Sequence, residues 1–193
     1  MQAYRSPNRK RSASSPTTSD DVRGMDSTCK GQISLGVSRI ALGLLIFWGF
    51  WDKLLGLGYP SPPEVAVING GSPTEYYLSS LVTGPLKDFY AGLAGNAAVD
   101  FLLMFALFAC GLGLILGIAS RLTTLGTVAF MVLMFSLNMP DANNPILDYH
   151  ILCIIFVLTI YWLDGFSHMG LGKWWNDLAI VQKVRIGNIR ILG

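Results

Sequence analysis

The sequence predicts an all-α integral membrane protein: a four-transmembrane-helix antiparallel bundle with short extracytoplasmic cap helices and a disordered N-terminal tail. Three observations predict it. Hydrophobic residues make up 52% of the 193 residues and charged residues only 13%, against about 25% charged in an ordinary soluble domain. The mean hydropathy is +0.48. The apolar residues gather in four runs, each near the length of about 20 residues that a helix needs to cross a bilayer.

Residues 1–30 are rich in Ser, Thr, Pro, Arg and Lys, with Asp20, Asp21 and Asp26 further on. They hold no apolar core to bury, which predicts disorder. The tail lacks the apolar run and cleavage site of a signal peptide, and Met25 is an alternative start. The membrane domain is expected over 31–166, with spans at about 33–57, 97–118, 122–137 and 146–163. In span one, Arg39 and the Asp52-Lys53 pair belong near the two interfaces, and Trp48 and Trp51 match an interfacial aromatic belt.

The connection between spans one and two carries Pro60, Pro62, Pro63, Pro73 and Pro85. Ser72-Pro73-Thr74-Glu75 reads as a helix start, with an N-cap serine and proline at the first helical position. A short helix to about Ser80 follows, and a second amphipathic piece spans 88–95. These pieces predict a cap over one membrane face. In span two, Gly111, Gly113 and Gly117 suit close helix approach in lipid. They lack the strand–turn–helix setting of a nucleotide loop. Residues 167–193 hold Trp174, Trp175, Lys183, Arg185 and Arg190, which predicts an amphipathic cytoplasmic tail on the membrane surface.

Positive residues set the expected orientation. Arg5, Arg9, Lys10, Arg11, Arg23 and Lys30 precede span one, and Lys173, Lys183, Arg185 and Arg190 follow span four. The positive-inside rule then puts both termini in the cytoplasm of a multi-pass plasma membrane protein. The net charge of +2 and the lack of a basic stripe with interleaved aromatics argue against nucleic acid. Cys29, Cys110 and Cys153 form no CxxC pair, so neither a thioredoxin-like centre nor a zinc site is expected. No metal site is predicted.

Asn138 to His150, NMPDANNPILDYH, is a polar island between two hydrophobic runs. Pro140, Asn143, Asn144 and Pro145 supply a turn. Asp148 and His150 fall where the next helix enters the apolar layer, where ionisable groups need a partner or a function. Trp48, Trp51, Asp52, Lys53, Asp100, Asn138, Asp148 and His150 are expected at one membrane level, the outer one. A carboxylate and an imidazole beside aromatic rings can bind a quinone headgroup, with the imidazole exchanging a proton. Asp148 and His150 are the candidate catalytic residues. Trp48, Trp51, Lys53, Asp100 and Asn138 are the candidates for quinone or substrate binding. Two residues apart, Asp148 and His150 sit on different helix faces unless the first turn is irregular. The alternative is that they only satisfy the turn and the cap.

The inner ends carry Arg39, Arg121 and Asp164, read as a structural charge cluster. An anionic lipid or substrate headgroup is the alternative reading.

The run from Arg39 to Leu54, Gly111 to Leu116 leading into Ile118-Ala-Ser-Arg121-Leu, and Asp148-Tyr-His150 together resemble the DoxX/DoxD membrane family over about 33–166. The resemblance implies a four-helix subunit. In the DoxD branch it works with a small DoxA-like partner to oxidise thiosulfate to tetrathionate, passing electrons to quinone. The matching positions are Arg39, Trp48, Lys53, Arg121, Asp148 and His150. The expected function is therefore a membrane subunit of a quinone-linked oxidoreductase in contact with membrane lipid. The alternative is a non-catalytic accessory or scaffold subunit of a larger membrane complex.

Overall fold

The computed structural model describes residues 19–137, 139, 144, 146–183, 185–186 and 189–190. Helix α1 runs Ser19–Leu55, and its apolar part, Thr28–Leu55, is long enough to cross a membrane. Two short 3-10 turns, Pro63–Val65 and Val67–Asn69, lead to α2 (Pro73–Ser80) and α3 (Lys87–Ala91). Helices α4 (Ala97–Leu116) and α5 (Ser120–Leu137) are also long and apolar enough to cross. Then come α6 (Tyr149–Trp162), α7 (Gly172–Asp177) and α8 (Ala179–Lys183). A two-residue ladder pairs Arg185 with Arg190 and Ile186 with Ile189.

The four long helices pack in a ring: α1 on α4, α4 on α5, α5 on α6, and α6 back on α1. Glycines permit the closest approach. A Cβ at Gly43 would meet the backbone of Ile115, and one at Gly111 would meet Phe47. Contacts descending on one helix as they ascend on the other make α1 and α4 antiparallel. The glycines of span two therefore serve packing. Leu42, Ile46, Leu107, Cys110, Leu114, Phe130, Met131, Val157, Ile160 and Phe166 form the core. Phe101, Leu102, Phe105, Leu125, Val132 and Ile155 face outward and are more than half exposed. That many outward-facing apolar side chains would be a large exposed patch in water; in a bilayer they meet lipid.

Two boundaries differ from expectation. The polar tail expected through residue 30 is helical from Ser19, because extending a nucleated helix costs far less than starting one. Span four, expected at 146–163, is only 14 residues as α6. At 1.5 Å per residue that is about 21 Å, short of the ~30 Å apolar layer. Its start is delayed because Asp148 is extended (φ −97°, ψ 177°) and caps the helix from outside. The expected tail segment 167–193 contains α7, α8 and the short ladder, and Leu171 N–H ties it to Leu116 O at 2.8 Å.

The cap forms as its sequence predicts. Pro73 opens α2, and Ser72 Oγ accepts from Glu75 N at 3.0 Å. Thr83 N donates to Leu137 O, and Tyr90 Oη bonds Ser136 Oγ at 2.7 Å. Leu78, Val82, Tyr90 and Leu137 form a second small core between cap and bundle.

Candidate functional site

At the cap end of the bundle the carboxylates divide by what they hold. Asp52 is wholly buried. Its two oxygens accept from Tyr59 N at 2.8 Å and Ser61 N at 3.0 Å, so it organises the chain leaving α1. Asp100 Oδ1 accepts from Ser72 Oγ at 3.0 Å, Thr74 N at 2.9 Å and Thr74 Oγ1 at 2.6 Å. One carboxylate thus anchors the start of α2 to the start of α4. Asp100, expected among the binding residues, is engaged by the cap.

Asp148 and His150 are 7% and 3% exposed. Asp148 Oδ1 accepts from Ile151 N at 3.0 Å, closing the N-cap. Its Oδ2 lies 2.5 Å from His150 Nδ1. This corrects the expectation of different faces: an extended N-cap residue is not on the helical wheel, so its side chain reaches both. An ionised carboxylate only accepts, so Nδ1 donates and Nε2 is left as the exchangeable position. The Tyr149 ring lies 3.8 Å from the His150 ring, tilted by 34°, and is itself largely exposed.

Lys53 is half-buried, with Nζ 6.0 Å from the Tyr77 ring centroid. No hydrogen bond or ion pair among the described residues joins it to Asp148 or His150. Trp48 and Trp51 are 50% and 40% exposed. Trp48 meets Tyr59 edge-on at 6.2 Å, and Trp51 meets Phe47 and Phe50. Asn138 lies outside the described residues, as do Pro140, Asp141, Asn143 and Pro145. Asn144 Oδ1 accepts from Ile146 N and Leu147 N, holding the turn that leads to Asp148.

The end opposite the cap, expected to be the inner one, is built differently from expectation. Arg39 is wholly buried but does not pair with Asp164. Its Nη2 donates to His168 O at 3.2 Å and Met169 O at 2.9 Å, and its guanidinium lies 5.7 Å from the Phe166 ring centroid. Asp164 turns outward in a left-handed conformation (φ 58°), and its Oδ1 accepts from Ser167 Oγ at 2.6 Å. Arg121 lies in the first turn of α5. Arg39's acceptors are main-chain oxygens, which no residue type advertises. The signals that could have found the missed features were local: an aspartate directly before an apolar run marks an N-cap, and the tyrosine between Asp148 and His150 cannot be far from the imidazole.

No family model, curated protein or solved structure matches this chain. Among the described residues no group of three or more His, Cys, Asp or Glu could hold a metal ion.

Proposed function

We propose that the chain is a membrane subunit of a quinone-linked oxidoreductase of the DoxX/DoxD kind, with Asp148 and His150 as its proton-handling pair. The observation that supports this is the buried 2.5 Å contact between them at the start of a short helix. The pair is buried, and the exposed ring of Tyr149 packs against the imidazole. A hydrophobic quinone reaches such a position through the bilayer. The donor set fits a quinone carbonyl: His150 supplies or takes a proton at Nε2, and Asp148 fixes the imidazole's tautomer and orientation. Two thiosulfate ions coupling to tetrathionate release two electrons, and a quinone taking two electrons and two protons balances them. Lys53 is the cation that holds the sulfur anion. A DoxA-like partner completes the enzyme, and the Lys/Arg distribution supports a plasma membrane location with both termini cytoplasmic.

The test is thiosulfate-dependent reduction of a quinone analogue in native membranes with and without the chain. Activity that requires the chain supports the reading; equal activity contradicts it. A second reading, a non-catalytic accessory or scaffold subunit, is favoured by the cap tied to α4 and α5 and by the exposed Trp174 of the tail. It requires stoichiometric co-purification with other subunits and no bound quinone.

A further inference from the structure

The connection from Leu57 to Gly71 does not rise away from the end of α1; it folds back along it. Tyr59 N and Ser61 N donate to the two oxygens of Asp52, about one turn inside the helix end. The Tyr59 ring meets Trp48 edge-on at 6.2 Å. Trp48 stands two turns, ~10 Å, before Leu55 on α1. Gly56 permits the return: its φ is +67°, and a Cβ there would lie 2.6 Å from Pro63 Cα and 3.0 Å from Ala66 Cβ.

The face along which the chain returns is apolar. Leu44, Trp48, Trp51 and Leu55 recur at helical spacing and are each at least 40% exposed, so they form one stripe of α1. The loop continues that stripe, with Tyr59 and Ile68 70% and 66% exposed. Its own backbone meets most of its donors. Pro60, Pro62 and Pro63 have no N–H. Gly58 N donates to Ser61 O, and the N–H groups of Val65, Ala66, Asn69, Gly70 and Gly71 donate to carbonyls between Pro62 and Val67. Asn69 Nδ2 donates to Pro63 O at 2.8 Å. Irregular backbone that approaches the apolar layer must have its polar groups met by protein in this way.

We infer that the Leu57–Gly71 loop is a lipid-binding wedge. It lies at the headgroup–acyl boundary of the cap-side leaflet, with the Tyr59 and Ile68 side chains among the acyl chains. Aromatic rings such as Tyr59 and Trp48 suit that boundary. Glu64, exposed and the single charge between Leu57 and Gly71, fixes the depth, because a carboxylate is costly below the headgroups. The occupant is lipid because the loop extends the outward stripe of a helix long and apolar enough to cross a membrane. The inference depends on the chain's crossing a membrane and not on the quinone reading.

The experiment uses the full chain in lipid nanodiscs, carrying Cys29→Ser and Cys153→Ala; Cys110 is buried. A nitroxide is attached in turn to Ile68→Cys, to Phe101→Cys on the exposed face of α4 and to Asp88→Cys on the exposed face of α3. All three positions are exposed, so the fold accommodates the label. Accessibility to oxygen, which partitions into lipid, is compared with accessibility to a water-soluble nickel chelate. The expected oxygen-to-chelate ratio at Ile68 lies well above that at Asp88 and close to that at Phe101. A ratio equal to that at Asp88 would place the loop in water and overturn the inference. Low accessibility to both reagents would place a protein partner or a second copy on the loop, and would also overturn it.

Discussion

The two ends of the bundle bury charge by opposite means. At the cap end Asp52 and Asp100 receive backbone N–H groups and hydroxyls from the connection between α1 and α4. At the opposite end Arg39 gives to the backbone carbonyls of the loop after α6. Those two carboxylates are engaged by the fold, whereas among the described residues Arg39 keeps two nitrogens without partners. Both arrangements tie a loop to the bundle, because buried polar groups must be hydrogen-bonded. The difference shows where function can reside. A group whose partners are all supplied by the fold is structural. A group left with an unmet position among the described residues, such as Arg39 Nε and Nη1, can meet a ligand.

Four substitutions would break or sharpen this contrast, from the largest expected effect to the smallest. Asp100→Ala removes three accepted hydrogen bonds and leaves Thr74 N–H and two hydroxyls without their acceptor. It should cost about 3 kcal/mol and raise hydrogen exchange across 72–80 while α4 stays protected. Unchanged exchange there would mean that the cap is held by its apolar contacts alone. At the other end, Gly117→Ala places a methyl against Arg39 Nη1 in a left-handed backbone position. About 2–3 kcal/mol of destabilisation is expected in chemical unfolding; a neutral result would show that Arg39 can swing away.

Asp148→Asn sharpens the comparison within the outer end. Asparagine caps a helix about as well as aspartate, so stability should hold within about 0.5 kcal/mol. Control of the imidazole tautomer is weakened, and quinone reduction should fall by about 10–100-fold. An equal loss of stability and activity would make Asp148 only a cap. Trp48→Phe is the smallest change. A half-exposed ring at the lipid surface should shift stability by no more than about 0.5 kcal/mol, and a larger loss would mark Trp48 as part of an interface.

Legibility in the sequence followed locality. Ser72-Pro73 predicted the start of α2 because cap and helix lie within a few residues of each other. The long apolar helices were legible for the same reason. The start of α6 was not, because Ile146 and Leu147 extend the hydrophobic run past the Asp148 cap that stops the helix. That error also hid the Asp148–His150 contact, since a helical wheel separates residues two apart. Arg39 was legible as a charge needing a partner, whereas Asp52 was placed at an interface and Asp100 among the binding residues. Their partners were not legible, because His168 O, Tyr59 N and Thr74 N are main-chain atoms brought in by tertiary folding.

The central claim is that His150 handles protons for quinone reduction. The most direct measurement is thiosulfate-dependent quinone reduction by His150→Ala in membranes, alongside its helical content and thermal unfolding. Loss of a positioned acid–base group predicts a fall of about 10²–10⁴-fold, with the helical content and the cap retained. A folded His150→Ala protein with full activity would contradict the account.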